Sequence, residues 1–146
     1  MSNPALEIHI ASEAKIADIE RLLAVDLSRA KIEGRTDLVP GKLGWIRIYI
    51  NPEPLPYYGN YAASYRFQIQ LDTASQWNEV RLVLATNLCE WLIDEFPGDY
   101  LCRLDTGDVI FNYKNSGLVI QSRYRKFFEA NNVFSGKQRF EDLEPV

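Results

Sequence analysis

Apolar and polar residues alternate at the start of the chain, with Leu6, Ile8 and Ile10 on one side and Glu7 and His9 on the other. A period of two predicts a short strand with one buried face. Ser12 follows at an N-cap position with Glu13 in the first turn, where a carboxylate suits the helix dipole. Ile16, Ile19, Leu23, Leu27 and Ala30 then recur at spacings of three and four, which predicts an amphipathic helix stopping at Gly34. Residues 34–44 hold three glycines and a proline and read as a loop. From Trp45 to Ile50 the alternation returns. Ile46, Ile48 and Ile50 oppose Trp45, Arg47 and Tyr49, and large side chains on both faces predict a central or doubly covered strand.

Pro52, Pro54 and Pro56 exclude a ladder over 51–60 and predict an extended surface loop. Tyr65, Phe67, Ile69 and Leu71 alternate with Arg66, Gln68 and Gln70, the cleanest one-sided strand pattern, expected to pair with the strand before it. Thr73 and Gln76 fit a capping box. Trp77, Val80, Leu84, Leu88 and Trp91 predict a helix over 75–96, ended by Pro97-Gly98. Short strands over 100–104, 109–113 and 118–121 are separated by the turns Asp105–Asp108 and Asn115–Gly117. The stretch 123–146, with Phe127, Phe128, Phe134 and Phe140 among charges, reads as a short helix and an arm lying on the domain. The expected order is β-α-β-β-α-β-β-β: one α+β domain over 1–146, an antiparallel sheet with two main helices on one face.

Composition narrows the function classes. The formal net charge of -4 argues against nucleic acid as a direct partner, because phosphate binding needs a basic surface. No run approaches 18 apolar residues, so no membrane helix is expected. Met1-Ser2-Asn3-Pro4 lacks the basic and apolar regions of a signal peptide, and a cytoplasmic location is the expectation.

Candidate chemistry is sparse. His9 is the single histidine and reads as solvent-facing or structural. Cys89 and Cys102 match no zinc or redox spacing and read as reduced thiols packed as small hydrophobes. Gly41-Lys42-Leu43-Gly44 lacks the order of a phosphate loop, and Asp105-Thr106-Gly107-Asp108 is too short for a calcium loop. No catalytic, cofactor-binding or metal-binding residue is expected, and the chain reads as a binding protein rather than an enzyme. A carboxylate enzyme using Glu90 or Asp94 in a cleft is a third reading, which a structure without such a cleft removes.

Two stretches could meet a partner. Glu90, Asp94, Glu95, Asp99, Asp105 and Asp108 fall within nineteen positions that hold one base, Arg103. They form either a solvated acidic edge or the docking surface for an electropositive protein. Tyr57, Tyr58 and Tyr61 lie on or beside the proline-rich loop. They are either hot-spot residues on a pre-restricted loop or a lid folded over the sheet. Residues 48–65 contain no Lys or Arg, which counts against a single-stranded nucleic acid platform. Arg123, Arg125 and Lys126 read as ordinary charge on a C-terminal helix.

A long helix ending in Phe96-Pro97-Gly98-Asp99, then Asp108-Val109-Ile110-Phe111, then a turn at Asn115-Ser116-Gly117 into Leu118-Val119-Ile120, resembles the Sit-type (swarming-inhibition) immunity proteins of polymorphic toxin systems over about residues 5–124. The resemblance implies a small cytosolic protein that binds and neutralises a cognate bacterial toxin, with no catalytic residues to carry over. The acidic stretch would suit a basic toxin such as a nuclease. The alternative is an adaptor or chaperone domain that binds an effector without neutralising it. The proline loop and the Phe-rich tail fall outside the family pattern.

Overall fold

The structure, a computed structural model, describes residues 4–25, 46–61, 63–73, 78–131 and 138–146. The strands are β1 (Leu6–Ser12), β2 (Ile46–Asn51), β3 (Phe67–Thr73), β4 (Gly98–Leu104), β5 (Val109–Lys114), β6 (Gly117–Gln121) and β7 (Gln138–Glu141). The helices are α1 (Ile16–Val25), α2 (Asn78–Glu95) and α3 (Arg125–Asn131), the last preceded by one 3₁₀ turn over Ser122–Tyr124. The strands form one sheet in the order β2-β3-β1-β4-β5-β6-β7. The α+β class and the order of the first eight elements agree with the sequence pattern.

The pairing explains how the core assembles. Ile8 stands opposite Ile69 on one side and Cys102 on the other, so three strands stack apolar side chains in line. The same face carries Leu6, Ile10, Phe67, Leu71, Tyr100, Phe111 and Ile120, all buried, against Ile19 of α1, Leu88 and Leu92 of α2 and Phe128 of α3. The β4–β5 register shifts between Cys102 and Arg103, leaving Ile110 as the extra residue. This bulge turns Ile110 towards the helix-side core and Val109 towards the opposite face. Asn115 and Ser116, at φ 53° and 63°, close the two-residue β5–β6 hairpin, as a primed turn requires.

Several expectations change. The sheet is not antiparallel throughout: β7 pairs parallel to β6. The intervening α3 segment supplies the crossover that a parallel return needs. Of the two readings of Trp45–Ile50, central or doubly covered, the first does not hold, because β2 is the outermost described strand on its side. Ser12 does not cap α1; it ends β1, and its Oγ accepts the Ala14 N–H at 3.2 Å. The helix starts at Ile16, four residues later, and just before it Asp18 accepts the Lys15 N–H at 2.9 Å, one half of a capping box. Leu27, Ala30, Gly34, Gln76 and Trp77 lie outside the described residues, and with them the far end of the predicted α1 stripe and the capping box at Thr73. Helix α2 buries Leu82, Ala85, Thr86, Leu88, Cys89, Trp91 and Leu92, a broader face than one stripe, because it lies across β1, β3 and β4.

Candidate functional site

The second face of the sheet, where Glu7 and His9 stand, is covered, in keeping with the lid reading of the tyrosines. Alternation puts Glu7, His9 and Ala11 of β1 there, beside Gln68 of β3 and Leu101 and Arg103 of β4. Over them lie the loop after β2 and the segment after β7. Tyr61, Tyr65, Leu101 and Val109 form a small second core, packed by Ala11, Tyr58, Ala63, Leu143 and Val146.

Beneath this cover sits an ionic cluster. Glu7 is 6 % exposed, His9 0 % and Arg103 7 %, so their polar atoms must be satisfied from within. They are: Glu7 Oε1 accepts from Arg103 Nε at 3.0 Å and from His9 Nε2 at 2.9 Å. His9 Nδ1 meets the Tyr58 hydroxyl at 3.1 Å, and that hydroxyl accepts the Leu55 N–H at 2.9 Å. The Glu7 carboxylate can only accept, so His9 Nε2 carries a proton, and in the neutral imidazole Tyr58 is then the donor to Nδ1. Arg103 also donates to the carbonyls of Asp105, at 3.2 Å, and of Val146. Burial pushes the Glu7 carboxyl up, but the His9 hydrogen bond and the Arg103 charge outweigh it and hold the group below its ordinary value. Burial raises the Tyr58 phenol despite the bond from Leu55, so it stays a neutral donor.

The cluster anchors the loop. Tyr58 stacks on Tyr65 with ring centroids 4.5 Å apart and meets His9 edge-on at 5.4 Å. Gln68 donates to the Glu53 carbonyl at 3.2 Å, and Asn51 accepts the Glu53 N–H at 3.0 Å. Tyr61 is buried, and its hydroxyl donates to the Glu144 carbonyl at 2.6 Å. Of the three tyrosines, therefore, Tyr58 and Tyr61 are lid residues and not free to meet a partner. Tyr57 points the other way and is 79 % exposed, the one large hydrophobic side chain so exposed among the described residues.

The acidic stretch is not one edge. Asp94 and Glu95 are exposed at the end of α2, with Glu90 half-buried a turn earlier. Asp99 is the second residue of β4 and accepts the Asn115 N–H at 3.1 Å. Asp105 and Asp108 lie in the turn beyond the strand's far end, and Asp108 is paired with Arg123 at 3.1 Å. Six residues of extended chain separate Asp99 from Asp105, about 20 Å. The six acids thus split between opposite ends of the sheet, and Asp94 is on an exposed helix end rather than in a cleft.

Sequence reasoning placed His9 correctly on the non-helix face, and of its two readings the structural one holds. It missed Glu7, Arg103 and Gln121 as organising residues. The available signal was Arg103 itself, a single base inside the apolar run Leu101–Leu104. Cys89 and Cys102 form no disulfide and are fully buried on the helix side, where burial raises the Cys89 thiol well above its ordinary value. Among the described residues no group of three His, Cys, Asp or Glu side chains could hold a metal ion, and no helix is long and apolar enough to cross a membrane. No family model matches the chain, and neither a curated protein nor a solved structure matches it.

Proposed function

We propose that this chain is a protein-binding module of the immunity class, which neutralises a cognate bacterial toxin in the cytoplasm by direct contact. The observation that carries this reading is Tyr57, a large side chain left in solvent at the tip of a loop that is otherwise fastened down. Prolines at 52, 54 and 56 restrict the backbone, and Tyr58, Gln68 and Asn51 hold it from below. Less ordering entropy is then lost on contact, and tyrosine is a favoured hot-spot residue. The strand and turn pattern after Pro97-Gly98, which resembles Sit-type immunity proteins, supports the same reading. So does the use of both His9 ring nitrogens in fixed internal bonds, which leaves that imidazole no lone pair or proton for a substrate. The exposed Asp94 and Glu95 add a negative patch that would steer a basic toxin, for instance a nuclease.

The test is co-expression with the toxin encoded beside this gene. Growth restored by the unaltered chain, and not by Tyr57→Ala, supports the reading. Equal arrest with and without the chain overturns it. Co-purification of the two proteins without rescue points instead to an adaptor.

A further inference from the structure

The segment after β7 is held in an unusual way. It runs over the second face outside any strand, yet its backbone is gripped atom by atom. Gln121 donates to the Leu143 carbonyl at 3.0 Å and accepts the Leu143 N–H at 2.9 Å, so one side-chain amide reads one residue's main chain with both prongs. A further bond from Gln121 to the Val109 carbonyl, 3.1 Å, fixes the amide's orientation. Tyr61 donates to the Glu144 carbonyl. The Val146 N–H donates to the Gly107 carbonyl at 2.8 Å, and Arg103, already fixed by Glu7, donates to the Val146 carbonyl.

Two side chains of this segment enter the small second core, and two acids bond at its margin, Glu144 accepting from Asn60 and Asp142 from Ser122. Leu143 and Val146 pack against Tyr61, Tyr65, Leu101 and Val109, while Glu144 and Pro145 stay exposed. The groove therefore selects a main chain held at residues 143, 144 and 146 with apolar residues three apart, and between them it meets the Glu144 carboxylate through Asn60. That is how a peptide-docking groove works: main-chain hydrogen bonds provide affinity and pockets for spaced side chains provide specificity.

We propose that the surface formed by Gln121, Gly107, Arg103, Tyr61, Leu101 and Val109 is a peptide-docking groove that residues 143–146 fill in cis. In trans it takes an extended segment of a partner protein with the pattern apolar-x-x-apolar. This site is separate from the Tyr57 surface and does not depend on the immunity reading. The covalently attached segment competes at an effective concentration of about millimolar, so a free peptide meets an occupied groove unless the segment is weakened.

The probe is a fluorescein-labelled, C-terminally amidated peptide of sequence Asp-Leu-Glu-Pro-Val, followed by anisotropy against the full chain. With Leu143→Ser and Val146→Ser combined, the peptide is expected to bind at least tenfold tighter than to the unaltered chain. Adding Gln121→Ala should remove that gain, and a peptide with serine at both apolar positions should not bind. A folded double variant that shows no saturable binding overturns the proposal, as does binding indifferent to Gln121→Ala. Should the double variant not fold, amide NMR of the unaltered chain with millimolar peptide decides. Shifts centred on Gly107, Gln121 and Tyr61 support the groove, and their absence overturns it.

Discussion

The hydroxyl of Tyr58 and the Nδ1 of His9 meet at 3.1 Å across 49 residues of chain, and this one bond ties the proline-rich loop to the middle of the sheet. His9 has no solvent exposure, so the bond has no water to replace it. Tyr58→Phe keeps the ring stacking on Tyr65 but leaves Nδ1 and the Leu55 N–H without their partner. An expected destabilisation of about 1–3 kcal/mol follows from stranding buried polar groups. Urea unfolding of the two proteins checks it; a change below about 0.5 kcal/mol would mean that the loop is not fastened there.

Glu7 has the larger role, because one of its oxygens accepts from both Arg103 and His9. Glu7→Gln leaves the Arg103 charge buried without its counter-charge, with an expected cost of about 3–5 kcal/mol. Glu7→Leu would not relieve it, since Arg103 remains. A chain retaining its full denaturation midpoint after Glu7→Gln would refute the ionic anchor.

The same carboxyl sets an acid limb of stability. Its folded-state value lies below the ordinary 4.5, so the unfolded chain binds the proton more readily. Stability from this group is complete above pH 4.5 and is lost as pH falls through the lower, folded value. A pH series of thermal melts should show that limb flattened in Glu7→Gln; an unchanged slope would assign acid sensitivity to other groups.

Tyr57→Ala should leave the fold alone, within about 0.5 kcal/mol, since the ring is in solvent. If Tyr57 is the partner's hot spot, affinity falls by about 2 kcal/mol or more, chiefly through faster dissociation. Reversing Asp94 and Glu95 to lysine should instead slow association and weaken its salt dependence. Surface-plasmon kinetics separates the two, and unchanged kinetics in both variants would remove both surfaces.

Gly98 has no room for a side chain. A Cβ there would collide with the Ala11 carbonyl and with Ser12 on the neighbouring strand. Gly98→Ala should force β4 away from β1 at the edge of the core, costing about 1–3 kcal/mol as overpacking does. Calorimetry of the variant checks this, and an unchanged melting temperature would place the strands further apart than they are here.

How much of this was legible depends on whether the cause is local. Period-two runs in β1 and β3, the apolar face of α2 and the turn residues at Asn115–Gly117 declare themselves, because strand pleat, helix pitch and turn chemistry act over a few neighbours. The same local reading left His9 either solvent-facing or structural and gave Glu7 no role. What covers them arrives from the 51–61 loop and from residues 143–146, and no periodicity encodes that approach. The six acids between Glu90 and Asp108 show the opposite error. They are neighbours in sequence, but a seven-residue strand carries them to opposite ends of the sheet. The sequence by itself determined the α+β class and the run of elements through β6. Only the tertiary structure decided that Tyr57 faces out while Tyr58 and Tyr61 face in, and that Glu7, His9 and Arg103 form one buried cluster. Those choices depend on burial and on hydrogen bonds between distant segments, and they exist only once the chain has closed over its own sheet.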